Sequence, residues 1–225
     1  MAKMHPDLQL DGVQLSVGGR ALFAPLQARV AGGQCLTVMG PSGCGKSSLL
    51  ACIAGTLDPV FEAQGSVRVG GTVLDGLPPE RRRVGILFQD DLLFPHLSVG
   101  DNLAFALPAA VRPAALRRQQ IDAALAAAGL AGFASRDPAT LSGGQRARVA
   151  LMRTLLAEPL ALLLDEPFSK LDTALRADFR RFVFEHARSR GLPVLLVSHD
   201  PADAAAAGGA VIELGDVAPA SWTPV

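Results

Sequence analysis

From Leu8 to Val17 apolar and polar residues alternate, with Leu8, Leu10, Val13, Leu15 and Val17 as the apolar positions. That is the two-residue period of half-buried strands, and Gly18-Gly19 marks a turn after it. Cys35 to Met39 reads differently. Cys-Leu-Thr-Val-Met runs apolar without alternation up to Gly40, which predicts a strand covered on both faces. Ser47 to Ala54 then predicts a helix, with Gly55 as its stop. Alternation returns from Gly65 to Leu74 through Val67, Val69 and Val73, and Val84 to Phe88 is another short apolar strand.

Between Asp90 and about Leu130 the texture changes to Ala, Leu, Arg and Gln. Arg117 to Leu130 is a helical window, and Pro108, Pro113 and Pro138 cut the region into short helices. Ala161 to Leu164, Pro193 to Val197 and Val211 to Leu214 predict further buried strands. Asp172 to Arg190 predicts an amphipathic helix with Leu175, Phe179, Phe182 and Val183 on one face. Strands alternating with helices predict an α/β fold with a mainly parallel core sheet. The alternating start adds an antiparallel β subdomain, and the helix-rich middle an inserted α-helical subdomain.

The chain has 225 residues, enough for one α/β domain with a subdomain. With ten Phe, one Trp and no Tyr, Leu, Val and Ala must fill the core. The 21 basic and 21 acidic residues cancel, so the chain lacks the footprint of a nucleic-acid binder. The run Arg81-Arg82-Arg83 reads as a solvated turn. No apolar stretch follows Lys3, so the start does not read as a signal peptide. The longest uncharged stretch, Val30 to Gly45, is 16 residues and Gly-rich, short of a membrane span. Cys35, Cys44 and Cys52 form no CxxC pair, which fits a reducing compartment.

Residues 40 to 47 read Gly40-Pro41-Ser42-Gly43-Cys44-Gly45-Lys46-Ser47, followed by Ser48. This is G-x-x-x-x-G-K-[ST] between a predicted strand and a predicted helix, the context a phosphate-binding P-loop requires. Its glycines let successive amides point inward, and the helix start adds positive potential. Lys46 brings a charge for the β- and γ-phosphates, and Ser47 a hydroxyl for Mg²⁺. Leu162-Leu163-Leu164-Asp165-Glu166 ends an apolar strand on two carboxylates. Asp165 is the candidate Mg²⁺ ligand and Glu166 the candidate general base. Gln89 follows the strand Val84 to Phe88 and is a candidate for the metal or the attacking water. His199, in Ser198-His199-Asp200, is a candidate γ-phosphate contact; His5, His96 and His186 have no such context.

Leu141-Ser142-Gly143-Gly144-Gln145 opens a predicted helix. Ser142 is its candidate cap, and the two glycines expose its first N–H groups as a second anion-binding helix end. With this LSGGQ signature, the P-loop, the strand-end carboxylates, Ser169-Lys170-Leu171-Asp172 and His199 in order, the chain resembles the nucleotide-binding subunit of ABC transporters over nearly its whole length. The resemblance implies a RecA-like P-loop core from residues 1–89 and 154–225 and a helical signature subdomain from residues 90–153. It implies ATP and Mg²⁺, and a second copy of the chain packed head to tail. Leu141, Ser142, Gly143, Gly144 and Gln145 would then complete the partner's site, with Asp172, in the D-loop, at the seam.

Leu87 to Val99, with Asp101-Asn102-Leu103, resembles bacterial importer ATPases, and Gly85 to Asp90 with Asp137 to Ser142 resembles the YnjD-like type among the small thiamine-, sulfate- and molybdate-group ones. That implies a membrane permease whose coupling helix meets this segment, a periplasmic binding protein, and a peripheral place on the cytoplasmic face of the inner membrane. Leu92, Leu93 and Phe94 are either its apolar contacts or part of a core cluster. An exporter or lipoprotein-release ATPase is the alternative. A soluble cassette acting on DNA or ribosomes is disfavoured, because Gln89 to Leu141 has no room for a second cassette or a coiled-coil insertion. In one respect the chain departs from the family: Val17 stands where an aromatic usually stacks on adenine, and Phe23 is the candidate substitute. Cys44 lies within the P-loop beside Lys46, so alkylating it is expected to block hydrolysis and bound ATP to protect.

Overall fold

The computed structural model describes residues 6–215; His5 lies outside them. The chain divides into two units, one of residues 1–86, 160–166 and 184–225, the other of residues 87–159 and 167–183.

The first unit opens with β1 (Leu8–Val17), β2 (Arg20–Ala21) and β3 (Leu26–Val30), continues with β4 (Cys35–Met39) and α1 (Lys46–Ala54), and then forms β5 (Phe61–Val69) and β6 (Thr72–Val73). β1 pairs antiparallel with β2, β3 and β5, and β5 with β6. Leu8, Leu10, Val13 and Leu15 are fully buried. Leu10 and Val13 are three apart, which a strict two-residue period forbids. A register shift between them restores the core face. It sits at Gly12, with φ +64°, opposite Gly65, where a Cβ would lie 2.4 Å from Gly12 O.

β5 begins at Phe61 rather than at Gly65. Asp58 explains the early start. Its carboxylate accepts the Val60 N–H at 2.9 Å and its carbonyl the Phe61 N–H at 3.0 Å. This Asx-type turn around Pro59 delivers Phe61 straight into pairing with Val17.

After α2 (Pro79–Arg82) comes β7 (Val84–Leu87), and α3 (Val99–Ala106), α4 (Ala114–Ala127) and α5 (Gly143–Leu156) follow in the second unit. The chain returns through β8 (Ala161–Asp165), α6 (Thr173–Ser189), β9 (Val194–Val197), α7 (Pro201–Ala207) and β10 (Ala210–Glu213). The second sheet has the order β10-β4-β9-β8-β7, and its β10–β4, β4–β9 and β9–β8 pairs are parallel. All four residues of β9 and the first four of β8 are buried, as expected of parallel strands covered on both faces. Leu49, Leu50 and Ile53 of α1 join Leu36, Val38, Leu163 and Leu195 and the β1 row in one core. Truncating one such leucine to Ala costs about 2–5 kcal/mol.

In the second unit Asn102 is fully buried. Its side chain accepts the Phe94 N–H at 2.8 Å and donates to the carbonyls of Phe94, Leu97 and Ser98. Arg153 donates to the Leu92 and Asp91 carbonyls. Together they hold the irregular segment before α3. α4 starts three residues before the expected Arg117 and stops at Ala127, where Gly129 with φ +72° turns the chain. On α6, Phe179, Phe182 and Val183 are buried, but Leu175, expected on the same face, is 40% exposed. The helix has only begun there, and Leu175 lies beside the small residue Gly144. Among the described residues no helix is long and apolar enough to cross a membrane.

Candidate nucleotide-binding site

The loop between β4 and α1 is shaped by its glycines. Gly40, Gly43 and Gly45 have φ of +147°, +82° and +96°, and a Cβ on Gly45 would meet Leu22 at 3.0 Å and Phe23 at 3.1 Å. α1 starts at Gly45 without a side-chain cap and has no acidic residue in its first turn. Its first N–H groups therefore face the loop unscreened, an arrangement that attracts anions. Lys46, nearly buried, folds back across the loop and donates to the carbonyls of Gly40 and Pro41 at 2.8 Å each. Cys44 is half-buried, with Sγ 3.9 Å from Lys46 Nζ. Cys35 and Cys52 have other settings: burial pushes the Cys35 thiol up to about 12 and also raises Cys52.

The parallel sheet brings distant residues to this loop. Ser47 Oγ donates to Asp165 Oδ1 at 3.1 Å. Burial pushes the Asp165 carboxyl above the usual range; the Ser47 hydrogen bond and Lys46 oppose this, while Glu166 adds to it. Glu166 has φ +46°, a conformation that costs about 1–3 kcal/mol outside glycine and gathers at functional sites. Its N–H is held by the Val197 carbonyl at 3.0 Å. His199 Nδ1 lies 3.3 Å from Glu166 Oε1.

Asp203 was not singled out from the sequence. It is buried and accepts the Ser198 hydroxyl, whose oxygen in turn accepts the Asp200 N–H at 3.0 Å. That network fixes the turn carrying His199. The spacing Ser-His-Asp-x-x-Asp was its only signal.

Ser142 caps α5 in a full capping box. Its hydroxyl accepts the Gln145 N–H at 3.3 Å, and the Gln145 side chain accepts the Ser142 N–H at 2.9 Å. Gly143 and Gly144 occupy the first helical positions, whose N–H groups have no intrahelical partner. Asp172 Oδ1 accepts the Leu175 N–H at 3.0 Å and so caps α6. Gln89 is exposed in the second unit. The neighbouring Asp90 pairs with Lys170, and the two residues line a cavity with Phe88, Gln89, Arg146 and Phe179. Leu92 is 54% exposed, and Phe94 packs edge-on against Phe105, itself 72% exposed. At the end of β1, Val17 is half-buried. Phe23 is only 1% exposed, so its ring has no face to offer a base.

A glycine-shaped loop feeding an uncapped helix beneath a parallel sheet defines a P-loop nucleotide-binding protein. Residues 23–169 match the ABC transporter family. The chain is 49% identical, over 87% of its length and 90% of the relative's, to the uncharacterized ABC transporter ATP-binding protein YnjD of Escherichia coli (strain K12). It is 45% identical, over 88% of its length and 83% of the relative's, to the thiamine import ATP-binding protein ThiQ of Cereibacter sphaeroides. With the spermidine/putrescine import ATP-binding protein PotA of Bacillus thuringiensis (strain Al Hakam) it shares 36% identity over 89% of its length and 61% of the relative's. The chain belongs to the ABC transporter family, as an ATP-binding subunit that hydrolyses ATP to power transport.

Proposed function

We propose that the chain drives a membrane importer as an ATP-bridged pair of identical cassettes. The observation that carries the reading is Glu166, strained and paired with His199 beside the Ser47–Asp165 contact. The P-loop, Gly40 to Ser48, holds the phosphates, and Lys46 exchanges its carbonyl partners for phosphate oxygens. Ser47 and Asp165 are adjacent hard oxygen donors and suit Mg²⁺, which usually keeps several waters and few protein ligands. When bound, the ion neutralises charge developing on the phosphates. Glu166 takes the proton of the attacking water, and His199 holds Glu166 and contacts the γ-phosphate.

Ser142 to Gln145 would complete the partner's site, and Asp172 would lie at the seam. ATP then favours closure because it binds the closed pair better than the open one. Residues 90–153 serve as the signature subdomain. Leu92, Leu93 and Phe94 face a permease at the cytoplasmic side of the inner membrane, served by a periplasmic binding protein; nucleic acid has no part in this. The import direction is supported by relatives named for import of thiamine, spermidine/putrescine and Fe(3+) ions.

Glu166→Gln is expected to cut phosphate release by roughly 10²–10⁴-fold while ATP still binds and holds a dimer in size-exclusion chromatography. A fully active variant that stays monomeric at high concentration with ATP would sink both the base assignment and the pairing.

A further inference from the structure

Within the second unit, the segment that follows β7 is fastened to one side of α5. Arg146 Nε donates to Asp91 Oδ2 at 2.8 Å, and Arg146 Nη1 donates to the Leu141 carbonyl at 2.7 Å. Arg153 lies two turns further along the same face of α5. It donates to the Leu92 carbonyl at 2.9 Å and to the Asp91 carbonyl at 3.3 Å. Leu92 has φ +45°, a left-handed backbone that a leucine keeps only where its surroundings impose it. Asp91 and Leu92 are therefore held twice, by side chain and by backbone, from one helix.

Arg146 is the member of this clamp that reaches the signature turn. It follows Gln145 directly, yet its side chain turns back to the carbonyl just before the Ser142 cap. A guanidinium is a rigid planar fork, so the edge that meets Leu141 is oriented by whatever holds the other edge. Asp91 holds it, from 55 residues earlier in the chain. An exposed ion pair would contribute little. These side chains are only 36% and 31% exposed, and one guanidinium bonds both partners at once. The capping box closes the turn on itself, whereas Asp91 fixes where that turn stands. Resting on the reading that Ser142 to Gln145 complete the partner's site, we propose that Asp91 is a positioning residue for hydrolysis in that site, acting through Arg146 on the signature turn. Gln89, two residues earlier, serves its own chain; Asp91 serves the other.

The test uses full chains and the rate of phosphate release. Asp91→Ala alone is expected to lower turnover roughly 10–100-fold, the size of effect a small misplacement produces, while ATP affinity in calorimetry is retained. Asp91→Asn keeps the shape of the side chain and carries the test if the Ala chain does not fold. Mixing then locates the defect. A Lys46→Ala chain lacks its phosphate contact but has a sound signature, and a Ser142→Arg chain has the opposite fault. The Asp91 variant is expected to recover hydrolysis with Lys46→Ala, because its own P-loop then meets a sound signature, and to stay low with Ser142→Arg. The reverse pattern would place Asp91 in the site of its own chain and overturn the proposal. So would recovery with both or with neither, or unchanged turnover in the single variant. If Lys46→Ala and Ser142→Arg chains form heterodimers and yet do not rescue each other, the pairing of cassettes itself fails, a result distinct from these.

Discussion

The P-loop region and the signature region are each built at the start of a helix, but they are built differently. At α1 the first turn has no side-chain cap, and its chemistry comes from far away in sequence: Ser47 meets Asp165, and Glu166 meets His199. At α5 the cap itself is local, with Ser142 and Gln145 exchanging hydrogen bonds across three residues, while Arg146 ties the same turn to Asp91. The first region therefore depends on the parallel sheet for its geometry. The second has its cap built within one helical turn. A site divided between chains benefits from that arrangement, because a preorganised helix end loses little entropy when it docks.

The largest effect expected from this contrast is in mixing. Lys46→Ala and Ser142→Arg chains should each be inactive alone, one losing its phosphate contact and the other its signature. Mixed, they should recover hydrolysis, because one of the two composite sites is then intact. A mixture as silent as its parents, with heterodimers shown to form, would place signature and P-loop function within one chain.

Asp165→Asn separates stability from chemistry in the first region. The Asp165 carboxyl is raised in the fold, chiefly by burial. A carboxyl of that kind favours folding when protonated; the contribution is complete below its unfolded pKa and is lost as pH rises through its folded pKa. At neutral pH the ionised group therefore costs stability. Asp165→Asn is expected to abolish Mg²⁺-dependent hydrolysis while the melting temperature of the nucleotide-free protein holds or rises. A clear fall in melting temperature at neutral pH would contradict this sign.

Cys44 probes the same loop from the side. Alkylation is expected to inhibit hydrolysis strongly, and saturating ATP to protect; full activity after mass-spectrometric proof of modification at Cys44 would remove the thiol from the site. The smallest effect belongs to the local device. Ser142→Ala should cost about 1 kcal/mol through the lost cap, roughly 2–4 °C in melting temperature for a chain of this size. A much larger loss would show that the signature turn depends on more than its own capping box.

The local motifs were legible because their spacing is their chemistry: a Gly-rich turn before a helix, a Ser three residues ahead of a Gln, two acids closing an apolar strand. The buried strands β4, β8 and β9 were legible from their unbroken apolar runs, but β10, expected to be buried too, is an edge strand with Val211 49% exposed. Other features were hidden. The early start of β5 depends on an Asx-type turn at Asp58, and Phe-Glu-Ala-Gln carries no apolar alternation to announce a strand. Leu175 looked like a core residue by helical period but lies where α6 has only begun. Asp203 showed only its spacing from Ser198, and the bond between them depends on α7 folding it inward.

The sequence by itself determined the glycine-shaped loop, the capped turn at Ser142 and the buried character of β4, β8 and β9, because those depend on φ preferences, capping and periodicity over a few residues. The tertiary structure alone decided which distant groups meet. It put Ser47 on Asp165 and His199 beside Glu166, and closed Phe23 into the core. Pairing across a sheet is set by register and crossover connections, and no short window of sequence contains those.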